Sequence, residues 1–149
     1  MKPIVTWIVA ADSGRVRVFE NRGPGKGLVP VKGMTLEDPH QYARDTESDR
    51  LGRSYASVGH GRSAIEPRTP PAEHEEQAFA KRLADLLEAK WTEGAFNRLI
   101  IAAEPTALGN IRGALCEAVD KAVTAELHKD LTKLPLADLP RHFEGILAL

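Results

Sequence analysis

Residues Ile4–Glu20 read IVTWIVAADSGRVRVFE, and this stretch decides the fold. Ile4 to Ala11 is rich in β-branched residues, carries Trp7 and is apolar at odd and even positions alike. A strand exposed on one side would alternate, so this pattern calls for a strand buried on both faces in the middle of a sheet. Asp12-Ser13-Gly14 supplies turn chemistry. Arg15-Val16-Arg17-Val18-Phe19-Glu20 then alternates polar and apolar, as a half-buried strand does. The two strands form a β-hairpin. Working outward, Asn21-Arg22-Gly23-Pro24-Gly25-Lys26-Gly27 is a loop, and Leu28 to Leu36 alternates loosely enough to read as a third strand.

From about Glu37 to Ala72, EDPHQYARDTESDRLGRSYASVGHGRSAIEPRTPPA keeps neither a helical nor a strand period. Irregular segments of this length inside compact domains are uncommon and usually functional or disordered. Order returns over Glu73 to Gly94, where Phe79, Leu83, Leu86, Leu87 and Trp91 recur at helical spacing. Pro70-Pro71 and acidic first-turn residues open this helix and Gly94 stops it. Arg98–Ala103 reads as a buried strand, and Pro105-Thr106 opens a helix with Leu108, Ile111 and Leu115 on one face. Ala122 to Leu127 reads as a strand, and Pro135 to Leu149 as a closing helix with Pro140 in its first turn. The order β-β-β-(loop)-α-β-α-β-α predicts an α/β fold, a five-stranded mixed sheet with helices packed on it, in ribonuclease-H-like connectivity. One domain over residues 1–149, with the irregular loop at about 37–72, is the expected organisation.

The chain of 149 residues is 42% apolar and 28% charged, so one core suffices without staples. Its formal net charge of −1 lacks the global basic excess that drives non-specific nucleic-acid binding. The single cysteine, Cys116, permits no intrachain disulfide, reads as a small apolar filler on a helix and fits a reducing compartment. The apolar run at the amino terminus is short, holds Thr6 and enters a turn, so a strand explains it better than a secretory signal. No apolar run approaches the ~20 residues that span a bilayer. A cytoplasmic protein without membrane insertion is expected.

Three phrases carry a further likeness: ADSGRVRVFEN after the first strand, GRSAIEPRTPPAEHEEQAFAKRLADLL leading into the long helix, and ELHKDLTKLP near the carboxyl end. Together they resemble the bacterial host-attachment proteins, from about Val5 to Phe143 and in the expected order. The resemblance implies a bacterial protein needed for attachment to host cells. It also implies kinship with the middle domain of archaeal and eukaryotic peptide-chain release factors, whose connectivity is ribonuclease-H-like. In that domain a Gly-Gly-Gln motif ahead of the long helix positions water against peptidyl-tRNA. The corresponding segment here, Gly59-His60-Gly61-Arg62-Ser63-Ala64, keeps the glycines and an Arg-Ser pair but no Gln, and the next Gln downstream is Gln77. Peptidyl-tRNA hydrolysis thereby loses its central group.

What remains is a Gly-rich loop bearing Arg53, Gly59, His60, Gly61, Arg62, Ser63 and Arg68. The planar fork of Arg matches phosphate bidentately, and glycine backbone approaches an anion closely, so these residues suit an RNA backbone or another partner. A solvated loop whose arginines pair with Asp45, Glu47, Asp49 and Glu66 accounts for the same residues.

Asp12, Glu104 and Asp130 each stand just past a strand, where open α/β sheets gather ligands, and a metal-dependent hydrolase would need such carboxylates. Asp12 nevertheless suits its turn and Glu104 a helix start. His40, His60, His74, His128 and His142 show no metal-ligand pair. Ser54 and Ser63 lack a nucleophile elbow, and GPGKG at Gly23–Gly27 lacks the Lys-Ser/Thr ending of a P-loop. Gly109 and Gly113 suggest close packing of their helix on the sheet. Lys129–Pro135, KDLTKLP, either joins strand to helix, with Thr132 and Asp138 as caps, or meets an acidic surface through Lys129 and Lys133. The expected function is a non-enzymatic binding protein with a protein partner, or with RNA or the ribosome, needing no cofactor and no metal. A translation-linked RNA-binding module and a metal-dependent hydrolase are the alternatives.

Overall fold

The computed structural model describes residues 3–37 and 71–149, with backbone alone for residues 71–73. Its order is β1 (Thr6–Ala11), β2 (Arg15–Asn21), β3 (Val29–Pro30), β4 (Leu36–Glu37), α1 (Pro71–Thr92), β5 (Arg98–Ala103), α2 (Pro105–Ala114), α3 (Glu117–Ala122) and β6 (Val123–Leu127). Two 3-10 turns follow, Leu136–Asp138 and Pro140–Phe143. The described residues form a mixed α/β fold.

β1 is central, antiparallel to β2 and parallel to β5, with β6 parallel to β5 beyond it. Every residue of β1 is buried, as its two-sided apolar pattern requires. Trp7, Val9 and Ala11, with Leu99, Ile101 and Ala103 of β5, pack against Phe79, Leu83 and Leu87 of α1 and Leu108 and Ile111 of α2. The alternate residues Ile8, Ala10, Ile100 and Ala102, with Phe19 of β2, face Leu131, Leu139 and Phe143. Helices therefore cover one face of the sheet, and the segment after β6 covers the other.

The expected third strand over Leu28–Leu36 is two pieces. β3 pairs with β2 at Phe19↔Pro30 and Glu20↔Val29, whereas β4 pairs with it at Val16↔Leu36 and Arg15↔Glu37. Between them the Val31 amide still donates to the Val18 carbonyl at 2.9 Å. The chain then turns through Gly33, whose φ is +81°, and buries Met34 in the core. That turn, closed by the Met34 amide on the Val31 carbonyl at 3.3 Å, interrupts the edge between β3 and β4. Six strand segments thus fill the five expected positions.

α1 ends as expected at Gly94. The Gly94 amide donates to the Trp91 carbonyl at 2.9 Å and the Ala95 amide to the Lys90 carbonyl at 3.0 Å, a Schellman arrangement with Gly94 at φ +79°. α3, short and acidic at its start, is an element the periodicity misses. Cys116 stands ahead of it, half-buried, instead of lying on a helix.

The closing helix expected over Pro135–Leu149 is overturned. Asp138, Leu139 and His142 donate amides to residues three positions earlier, Pro135, Leu136 and Leu139, at 2.9–3.2 Å. Pro140 removes an amide donor and Gly145 takes φ +79°, so α-helix cannot continue through either. Gly109 and Gly113 are likewise corrected: both are exposed, and a Cβ at either would meet nothing within 4 Å, so neither is there for packing on the sheet. The loop expected at 37–72 lies, save Glu37, Pro71 and Ala72, outside the described residues.

Candidate functional site

The parallel strands β1, β5 and β6 end together, with Ala11 beside Ala103 and Ala102 beside Leu127. Asp12, Glu104 and the segment His128–Leu134 therefore emerge at one end of the sheet, the end where open α/β sheets offer a crevice.

Asp12 organises the hairpin turn. Its amide donates to the Arg15 carbonyl at 2.9 Å, and its Oδ1 accepts from the Gly14 amide at 2.9 Å. Its other oxygen, Oδ2, lies 3.3 Å from the Thr132 hydroxyl. Asp130 Oδ1 takes the Thr132 amide at 2.9 Å and the same hydroxyl at 2.5 Å. A hydroxyl carries one proton, so the short contact to Asp130 is the donated bond. Thr132 is buried, and its hydroxyl stands between the two acids, donating to Asp130 with Asp12 Oδ2 close by, across 120 positions of sequence.

Arg17 completes the arrangement. It leaves the face of β2 opposite Val16 and Val18, lays its guanidinium over the Phe19 ring at 4.9 Å, and donates from Nη1 to the carbonyls of Leu134 at 2.7 Å and Thr132 at 3.1 Å. Neither Arg17 nor the bond made by Thr132 is expected from the pattern. The D-x-T spacing inside KDLTKLP is the one local signal, because Asp at the first position of such a turn accepts the amide two residues on. The expected capping roles go unfilled: no side-chain cap bond is made at the 3-10 turn starting at Leu136.

The trio of acids does not assemble. Glu104 stands exposed ahead of α2 without a side-chain cap bond, while Asp12 is engaged in the hairpin turn and Asp130 with Thr132. Among the described residues no group of three or more His, Cys, Asp or Glu is placed to hold an ion. On the helical side of the turn, Asp12, Ser13 and Glu76 rim a small cleft floored by Phe79, Leu83 and Ile111. It has room for about one water.

The expected partner-binding residues Arg53, Gly59, His60, Gly61, Arg62, Ser63 and Arg68 lie outside the described residues. Their flanks are described. Glu37 pairs in register with Arg15, next to the hairpin turn, and its carboxylate is 3.9 Å from the Arg15 Nε. α1 begins at Pro71, and Glu76 in its second turn borders the cleft with Asp12. Both flanks of segment 38–70 thus meet the sheet at the end where β1 and β5 finish.

At the opposite end a shallow depression is bordered by Glu88, Trp91, Asn97, Cys116, Glu117 and Lys121. Asn97 has a structural task there, its Oδ1 accepting the Val5 amide at 2.9 Å. A third polar group joins α2, α3 and β6: Arg112 reaches Asp120 at 2.8 Å and also pairs with Glu126. Those bonds hold the Arg112 pKa above the ordinary guanidinium value, the hydrogen bond to Glu126 first. No helix among the described residues is long and apolar enough to cross a membrane.

The family model described as "Protein required for attachment to host cells" matches residues 7–143. No curated protein matches the chain. A solved "Archaeal protein" resembles it at 14% identity and TM-score 0.47, over 93% of this chain and 34% of that one. The archaeal translation termination factor aRF1 resembles it at 12% identity and TM-score 0.43, over 95% of this chain and 38% of that one. The chain therefore spans about a third of the length of these solved proteins.

Proposed function

The chain belongs to the family of proteins required for attachment to host cells, and from that membership we propose that it serves as a non-enzymatic binding protein acting inside the bacterium. The reading takes residues 1–149 as one domain with ribonuclease-H-like connectivity. The antiparallel β1–β2 hairpin followed by the parallel β1–β5–β6 run supports that connectivity. A cytoplasmic location belongs to the same reading and rests on the lone cysteine, which suits a reducing compartment.

One observation carries the binding role. Both flanks of segment 38–70 meet the sheet at the strand ends, where ligands of open α/β sheets gather, and the sequence of that segment holds Arg53, Arg62 and Arg68. Their forked guanidinium groups, with Gly59 and Gly61 between them, suit the phosphates of an RNA backbone, and His60 and Ser63 add hydrogen-bonding groups. The acids Asp12 and Asp130 are committed to the hairpin turn and to Thr132, which favours binding over hydrolysis.

The experiment is a salt titration of RNA binding, with ribosome co-sedimentation beside it. Electrostatic capture predicts an affinity that falls steeply with salt, and Arg62→Ala with Arg68→Ala flattens that slope. A flat response without ribosome association removes RNA from the reading and leaves a protein partner. Divalent-metal binding lost in Asp12→Asn would favour the hydrolase instead.

A further inference from the structure

Residues 128–149 form a strap that holds no α-helix and no strand. Its internal amide bonds from Leu134, Asp138, Leu139, His142 and Ile146 reach back three residues, and that from Leu147 reaches back four, to the Phe143 carbonyl at 3.0 Å. Such tight turns have poorer bond geometry than α-helix and do not propagate. The strap nevertheless buries Leu131, Leu139 and Phe143 on the face made by Ile8, Phe19 and Ile100.

Hydrogen bonds from the sheet to this strap concentrate at its leading end. Arg17 donates to the Thr132 and Leu134 carbonyls, and the Thr132 hydroxyl lies by Asp12. Arg17 is also stacked on Phe19, so its guanidinium stays positioned on the sheet side of the contact. Beyond Pro135 the strap is attached mainly by side-chain packing.

We propose that residues 128–149 open as one unit before the rest of the molecule unfolds, with Arg17 as the clasp, and that opening bares the apolar strip of Ile8, Ala10, Phe19, Ile100 and Ala102. Stability is distributed unevenly in folded proteins, and contiguous units outside the core strands and helices open at free energies below that of global unfolding. The helical face of the sheet, sealed by α1 and α2, stays closed in the open form. This inference does not depend on the binding role of segment 38–70.

Native-state hydrogen exchange of the whole chain, followed through urea concentrations below the unfolding midpoint, tests it. The amides of Leu139, His142 and Ile146 exchange with a weaker urea dependence than those of Ile100 and Ile101, because less surface is exposed. Arg17→Ala removes charge-assisted bonds and accelerates strap exchange by roughly tenfold or more. Ile101→Val, on the helical face, speeds exchange in β5 by roughly threefold to tenfold and leaves the strap unchanged. The proposal is overturned if strap and β5 share one urea dependence, if Ile101→Val accelerates both equally, or if Arg17→Ala leaves the strap as it was. The wild-type comparison stands even if a variant folds poorly.

Discussion

Trp7 of β1 stacks on Phe96, with ring centroids 4.8 Å apart and planes inclined by 27°. Phe96 sits in the connection between α1 and β5 and also meets Trp91 of α1 at 5.4 Å. The aromatic contact thus locks the long helix to the start of the central strand, while the Trp7 indole donates to Glu20 at 3.1 Å. Phe96→Ala is expected to cost about 3–5 kcal/mol in urea unfolding, since a buried aromatic leaves both a cavity and lost transfer energy. A loss below about 1 kcal/mol would show that the site collapses freely or that the stacking is not formed.

Two glycines predict opposite signs. Gly94 holds φ +79° at the end of α1, so Gly94→Ala is destabilising by about 1–2 kcal/mol. Gly109 lies inside α2 at ordinary φ with open space around it, so Gly109→Ala is stabilising by about 0.5–1 kcal/mol. Thermal unfolding of both variants checks the pair. Equal shifts of the same sign would refute the assigned backbone conformations.

Arg112 bridges Asp120 and Glu126, and its side chain is 35% exposed. Screening by solvent limits its worth, so Arg112→Gln should cost about 1 kcal/mol or less at low salt. The difference from wild type should shrink in roughly 1 M salt, where the Debye length is about 3 Å. A penalty that ignores salt would mean that packing of the side-chain stem, not charge, dominates.

Lys81 donates to Asp85 at 2.7 Å, and that bond, reinforced by the Asp85 charge, raises its pKa above the ordinary 10.5. A group whose folded pKa is raised stabilises the fold fully below its unfolded value and loses that contribution as pH climbs through the folded one. Unfolding temperature should therefore fall slightly more steeply above pH 10.5 for wild type than for Lys81→Gln. Parallel alkaline profiles would count against the pair.

The hairpin was readable from Ile4–Glu20 because alternation and turn chemistry are local: β1 and β2 pair from Thr6↔Asn21 to Ala11↔Val16 around Asp12–Gly14. β5 matches its expected bounds, and Gly94 closes α1 as its position suggested. The third strand and the closing helix depart from their expected forms for a shared reason. Apolar spacing registers burial, and Met34, Leu139 and Phe143 are indeed buried, yet proline and glycine between them forbid the regular backbone that the spacing implied. Of the candidate site, the arginines of segment 38–70 lie outside the described residues, while Arg17 and Thr132 carried only a faint local cue.

Periodicity told which side chains avoid water and roughly where the backbone must turn, since both depend on neighbours a few positions away. It was silent on which distant group each buried residue meets. That Thr132 would reach Asp12 and that Arg17 would grip the strap follows from the path of the chain, which carries β6 parallel beside β5 and returns the following segment across the opposite face. A side chain's preference for burial is written in its own chemistry; its partner is set by the whole packed sheet.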